Sequence, residues 1–203
     1  MSKIQVDTID TRSGTSTMQI GSTNTSTITL GVSGDTINVP SGVTFANAGT
    51  ATGFGANTPR FKAFRSADQT VSDNTWTKVE LGTEVYDTDS AWDISNHRFT
   101  VPSGKGGVYF FSGNCGFQSN AVSDIGYAAV QLNVNGSYPT SQSAPASNLY
   151  NDTTGIFRSG QLSFAGTLNL SAGDYVEMYG RIDDINGANI ALASSFMEGH
   201  KLI

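Results

Sequence analysis

The chain has 203 residues, only 14% of them charged, with 23 glycines and a formal net charge of -6. That length holds one real core or a small domain with an appendage. The balance of charge and the lack of any Lys/Arg run argue against a nucleic-acid partner, because neutralising phosphates takes a basic patch.

MSKIQVDTID lacks the apolar core of a secretion signal, and no later window holds the roughly 20 apolar residues needed to span a bilayer. The expectation is a chain made in a cytosol that inserts in no membrane. The next recognisable stretch, TITLGVSGDTINVP (27–40), alternates Thr with Ile or Leu, turns through Gly-Val-Ser-Gly-Asp and alternates again. Met18-Gln19-Ile20-Gly21 upstream and Val43-Thr44-Phe45 downstream repeat the unit in degenerate form. Ordering ten residues costs about 10–20 kcal/mol, while burying an Ile or Leu returns about 1.5–3 kcal/mol. Two apolar side chains per ten residues therefore need neighbours, either stacked units or further copies of the chain. Residues 1–57 are expected to form an attachment segment and β-repeat shaft, closing with the small-residue stretch FANAGTATGFGANTP. Sequons at Asn24, Asn135, Asn151 and Asn169 are discounted, because a Ser/Thr/Asn-rich chain yields them by chance and no secretion signal precedes them.

From Pro59 aromatics appear and strands lengthen. FKAFRS (61–66), WTKVEL (76–81), HRFTVP (97–102), GVYFFSGNCGF (107–117), GYAAVQLNV (126–134), FRSGQLSF (157–164), GTLNLS (166–171), DYVEMYGRI (174–182) and NIALASSF (189–196) each read as a strand, separated by Gly, Asn, Asp and Pro clusters. No extended window shows helical periodicity. The fold class is all-β, and residues 58–203 are expected to form a sandwich. The lone Cys115, set in FFSGNCGF, excludes a disulfide framework and reads as a small buried residue. In DYVEMYGRI, Val176, Met178 and Ile182 share one face and Tyr175, Glu177, Tyr179 and Arg181 the other. In GVYFF, Val108 and Phe110 oppose Tyr109 and Phe111. Strands with aromatics on both faces need a second burial partner, which a neighbouring subunit would supply; a few half-exposed tyrosines are the alternative.

In order along the chain, PRFKAFRS, KVEL, HRFTVPSGKGGVYFFSG, VQLNVNGS, SGQLSFAGTLNLSAGDYVEMYG and SSFMEGHKLI resemble the motifs of the complement C1q and tumour necrosis factor jelly-roll family over residues 59–203. The resemblance implies a ten-stranded jelly roll that assembles as a trimer, with aromatics of its inner sheet toward the threefold axis, and a binding rather than enzymatic role. Carried onto this chain, it assigns Phe64, Tyr109, Phe111, Tyr175, Tyr179 and Phe196 to the trimer interface. Upstream, collagen-like Gly-X-Y is missing. There the Thr/Ser/Gly repeat and the opening SKIQVDTIDTRSG resemble in texture the attachment and shaft segments of bacteriophage virion fibres.

No enzymatic activity is expected. His97 and His200 read as structural, and no G-x-S-x-G elbow surrounds a serine. The carboxylates Asp87, Asp89, Asp93 and Asp183-Asp184 lack the long groove a depolymerising spike would need. SGKGG (103–107) lacks the spacing and following helix of a phosphate loop. No cofactor is expected, although YDTDSAWD and IDDINGAN offer oxygen ligands of the kind calcium takes, with solvated turns as the competing reading. The connection GSYPTSQSAPASNLYNDTTG (136–155) is too long for a hairpin turn. It makes Tyr138, Gln142, Asn148, Tyr150, Asn151 and Asp152 the candidate receptor-binding residues, since tyrosine among amides and hydroxyls suits sugar rings or adaptable protein contacts. A subunit-clasping or mobile segment is the alternative. The expected protein is a homotrimeric phage virion fibre or spike. Its head would recognise a host-surface glycan or protein, and its N-terminus would meet other virion proteins. The alternative is a structural capsid-decoration or tail protein.

Overall fold

The computed structural model describes residues 20, 26–30, 33–44, 46, 57–119, 125–139, 144–150, 158–184 and 190–202, and within its strands side chains alternate between two faces. The chain divides into two compact units, Met1–Thr52 and Gly53–Ile203.

In the first unit two turns stand eight residues apart, with Gly34 at φ 98° and Gly42 at φ 85°. The Val43 N–H donates to Pro40 O at 3.2 Å, closing a turn whose third position needs the positive φ that Gly42 supplies. Among the described residues of this unit there is no strand, and Ile28, Leu30, Ile37, Val39 and Val43 are all exposed, by 44–62%. Among the described residues of this unit, the expected alternation forms no strand pair.

The second unit has twelve strands among its described residues. They are β1 (Arg60–Arg65), β2 (Gln69–Val71), β3 (Thr77–Lys78), β4 (Thr83–Asp87), β5 (Trp92–Asp93) and β6 (Arg98–Thr100), then β7 (Gly107–Ser119), β8 (Ile125–Val134), β9 (Ala146–Tyr150), β10 (Ser159–Leu170), β11 (Tyr175–Asp184) and β12 (Ile190–Lys201). The first sheet runs β10-β7-β12-β1-β4 with β2 on β12; the second runs β5-β6-β11-β8-β9 with β3 on β11. All pairings are antiparallel. After β7 the chain passes between the sheets at every connection except β8–β9, the winding of a jelly roll.

Between the sheets lies a core that includes Phe61, Phe99, Tyr109, Phe111, Leu132, Met178 and Ile182, each 1% exposed or less. Phe61 stacks on Trp92 at 5.0 Å and on Phe99 at 4.9 Å, and Phe111 meets Phe99 edge-on at 5.8 Å. Tyr109 and Phe111 therefore point inward, which corrects their assignment to a trimer interface. The register gives the reason: both cross-strand neighbours of Phe111, Gly166 in β10 and Gly199 in β12, are glycines. A Cβ on Gly199 would come within 2.8 Å of the Phe111 ring. The room for a large ring is on the inner side of β7, and Val108 and Phe110 are turned outward as a consequence.

Three further expectations are revised. The break expected at Ala165 is absent, because β10 runs on through Gly166, whose missing side chain admits Pro145; a Cβ there would sit 2.9 Å from its Cγ. Part of the supposed loop 136–155 is an edge strand, β9, paired to β8 from Tyr127↔Tyr150 to Gln131↔Ala146. β12 continues beyond residue 196 to Lys201, held by β1 and β7 on either side. Cys115 is buried as expected, and burial pushes its thiol up to about 12, with a Ser195 hydrogen bond acting the other way.

Candidate functional site

Each sheet turns one face outward, and the two faces differ in chemistry. On the first sheet, Phe64 of β1 lies directly opposite Phe196 of β12, both half-buried. The Lys62 ammonium sits 4.6 Å over the Phe196 ring and 3.0 Å from Glu198 Oε2, while Ser112 Oγ donates to Glu198 Oε1 at 3.2 Å. Phe110 packs on His200 at 5.7 Å, and Val108 is 42% exposed. Asn114 Nδ2 donates to Gln161 Oε1, and these two amides with Phe64 and Phe196 line a shallow depression of about 200 Å³. An ion pair this exposed contributes about 0–1 kcal/mol. The face thus sets half-buried aromatic rings and Val108 among amides and one local ion pair, a mixture suited to a matching protein surface.

The second sheet's outer face is built from the alternate residues of β11, β8 and β9. Cross-strand rows read Glu177–Asn133, Tyr179–Gln131–Ala146, Arg181–Ala129–Asn148 and Asp183–Tyr127–Tyr150. Lys78 Nζ donates to Glu177 Oε1 at 2.8 Å, which lets Glu177 lie only 4% exposed. Arg98 lies 4.4 Å over the Tyr175 ring, and Arg181, held by Asn74 Oδ1 at 2.7 Å, lies 5.3 Å over Tyr127. Gln131 Nε2 donates to Asn133 Oδ1, and Tyr127 meets Tyr150 at 6.4 Å and 64°. Burial, and then the Glu177 carboxylate, raise the Tyr179 phenol above its ordinary range.

Of the interface candidates, Phe64 and Phe196 share the first sheet's outer face, whereas Tyr175 and Tyr179 lie on the second sheet's. The six therefore do not form one surface. Of the receptor candidates, Asn148 and Tyr150 are exposed on β9, with Tyr150 at 70%, and Tyr138 is 37% exposed beyond the end of β8. Gln142, Asn151 and Asp152 lie outside the described residues. A cleft of about 470 Å³ beside Tyr138 is lined by Val134, Pro139, Leu168 and Leu170 among others. Sequence reasoning missed Tyr127, Gln131 and Arg181 as companions of Tyr150, although the alternation in YAAVQLNV already put Tyr127, Gln131 and Asn133 on one face.

The acidic turn is engaged with its own backbone. Asp87 Oδ2 accepts the Trp92 N–H, and Asp93 Oδ1 accepts those of Ser95 and Asn96. The Asn96 side-chain amide, at 2.6 Å, is the main reason the Asp93 carboxyl titrates below its usual range. Among the described residues no three His, Cys, Asp or Glu gather as a metal site. Residues 185–189 of the second candidate turn lie outside the described residues.

No family model matches the chain, and no curated protein matches it. Among solved structures it is similar to the globular domain of zebrafish complement 1qA protein, at 17% identity and a TM-score of 0.48 over 71% of this chain and 98% of that one. It is also similar to the Eiger TNF of S. frugiperda, at 16% identity and a TM-score of 0.47 over 71% of this chain and 94% of that one.

Proposed function

We propose that the chain is a non-enzymatic, homotrimeric appendage of a bacteriophage virion, with a C1q/TNF-like head that recognises the host surface and an N-terminal shaft that joins other virion proteins. The observation that carries the homotypic part of this reading is the exposure of Ile28, Leu30, Ile37, Val39 and Val43 in a single chain. Five apolar side chains on two alternating segments, each exposed by two fifths or more, are stable in water when copies of the same segment cover them. Phe64, Phe196, Phe110 and Val108 offer a second homotypic surface on the head. Three weak sites on one axis then gain avidity from effective concentration, so a head of low charge is sufficient for adhesion.

Sedimentation equilibrium of the full chain tests the assembly: three copies of a 21.3 kDa chain weigh about 64 kDa. A monomer at micromolar concentration refutes it. Labelled protein should bind susceptible cells and compete with infection. Protein that ignores cells but binds capsid or tail proteins would establish the structural-decoration reading instead.

A further inference from the structure

We propose that the outer face of the second sheet, centred on Tyr127, Tyr150 and Tyr179, is a binding site for a neutral oligosaccharide. This rests on the surface-recognition reading for the ligand's origin and moves the contact from the loop 136–155 onto a rigid sheet.

Three rows define the site: Tyr179–Gln131–Ala146, Arg181–Ala129–Asn148 and Asp183–Tyr127–Tyr150. Neighbouring strands stand about 4.8 Å apart and alternate residues about 6.8 Å along a strand, so these rows span roughly 10 by 14 Å, the footprint of two or three sugar rings. In the middle row the small side chain of Ala129, 5% exposed, is flanked along β8 by Gln131 and Tyr127. The patch is therefore lowest at its centre and has phenol rings on both sides. Tyrosine brings a flat apolar face for the C–H side of a pyranose together with a hydroxyl, at the entropic cost of two torsions.

The polar groups are held in place before any ligand arrives. Asn74 fixes Arg181 against the Tyr127 ring, and Asn133 fixes the Gln131 amide. Tyr150, in T-shaped contact with Tyr127, and Asn148 stand exposed at the rim. Preorganised amides and a guanidinium, each offering hydrogen-bonding atoms in a fixed direction, suit the vicinal hydroxyls of a sugar. Charge selects among sugars. Lys78 is neutralised by Glu177, Arg98 stands opposite Asp93 in the register of β6 with β5, and Arg181 shares the face with Asp183. With no excess of either sign, the face offers an acidic polysaccharide no electrostatic gain and complements an uncharged one.

The test is retention of the full-chain protein on immobilised neutral oligosaccharides of glucose, galactose and their N-acetyl amines, with heparin and polysialic acid as charged controls. Wild type should be retained by at least one neutral oligosaccharide. Tyr150→Ala and Asn148→Ala, both at exposed positions, should weaken that retention about tenfold with melting temperature unchanged. Tyr179→Phe, which keeps the ring, should bind within about threefold of wild type. No retention on any neutral sugar, retention on the acidic controls alone, or equal binding by folded Tyr150→Ala and Asn148→Ala would each overturn the proposal. If those two variants still bind both the sugar and cells like wild type, this face is refuted and the host-surface reading stands. If wild type binds the sugar but not cells, this face is supported and the host-surface reading falls.

Discussion

Phe111→Ala separates a core role from an interface role more sharply than any other single change. The ring is 0% exposed and lies 5.8 Å from Phe99, 6.2 Å from Tyr109 and 6.3 Å from Phe61, with glycine opposite it on both neighbouring strands. The two cross-strand neighbours, Gly166 and Gly199, have no side chains to move into the space, which leaves only the flanking rings of Phe99, Tyr109 and Phe61 to close it. Removing a buried phenyl costs about 3–5 kcal/mol, and an uncollapsed cavity with lost aromatic contacts puts this site near the upper end. For a domain of this size each kcal/mol corresponds to about 3 °C, so the melting temperature should fall by about 12 °C or more. Calorimetry of wild type and variant measures it, with sedimentation run at matched concentration. A variant that melts within about 2 °C of wild type yet loses mass in the ultracentrifuge would refute the inward assignment.

The double change Phe64→Ser with Phe196→Ser should do the opposite, lowering the sedimenting mass at micromolar concentration while the monomer's far-UV circular dichroism stays β-rich; an unchanged mass would remove this face from assembly. Burial, with Asp89 adding to it, pushes the Tyr109 phenol from 10.0 up to about 12. Between those values the unfolded chain holds fewer protons than the folded one, so stability falls as pH rises through this window, by about 1.4 kcal/mol per unit for this group. The Cys115 thiol, moved from 9.0 to about 12, acts with the same sign from lower pH. Urea midpoints from pH 9 to 11 should decline, and Tyr109→Phe should flatten the decline above pH 10; an equally steep variant would contradict it. Gly113→Ala would press a methyl against the Phe196 carbonyl and the Phe164 ring, at about 3 kcal/mol, read from the same midpoints. Lys78→Met should cost about 2 kcal/mol by leaving the buried Glu177 carboxylate without its 2.8 Å partner, and a neutral result would mean solvent replaces it.

The outer face of the second sheet is partly legible in the sequence. Tyrosines among amides flag Asn148 and Tyr150, but their companions Tyr127, Gln131 and Arg181 sit on strands 17 or more residues away in sequence, and only the register of β8 with β9 and β11 sets them side by side. The first-sheet pair, Phe64 and Phe196, is likewise more than 100 residues apart along the chain. The alternation puts Tyr175 and Tyr179 on the outward face of β11, but that strand belongs to a different sheet from Phe64 and Phe196, because sheet membership depends on how the chain crosses the sandwich.

What the sequence determined by itself is the all-β class, the long strands and the inward residues of β11. There apolar Val176, Met178 and Ile182 alternate with polar or half-polar neighbours, so one face has an unambiguous claim on the interior. In β7 Tyr109 and Phe111 compete with Val108 and Phe110 on nearly equal terms, and hydrophobicity alone could not rank the two faces. At Phe111 the choice was made by volume: glycines opposite it on both adjacent strands leave space on one side of the sheet, and its ring fills it. Volume at a given point is set by partners distant in sequence, which is why that decision, together with the continuity of β10 and the pairing of β9, belonged to the tertiary structure.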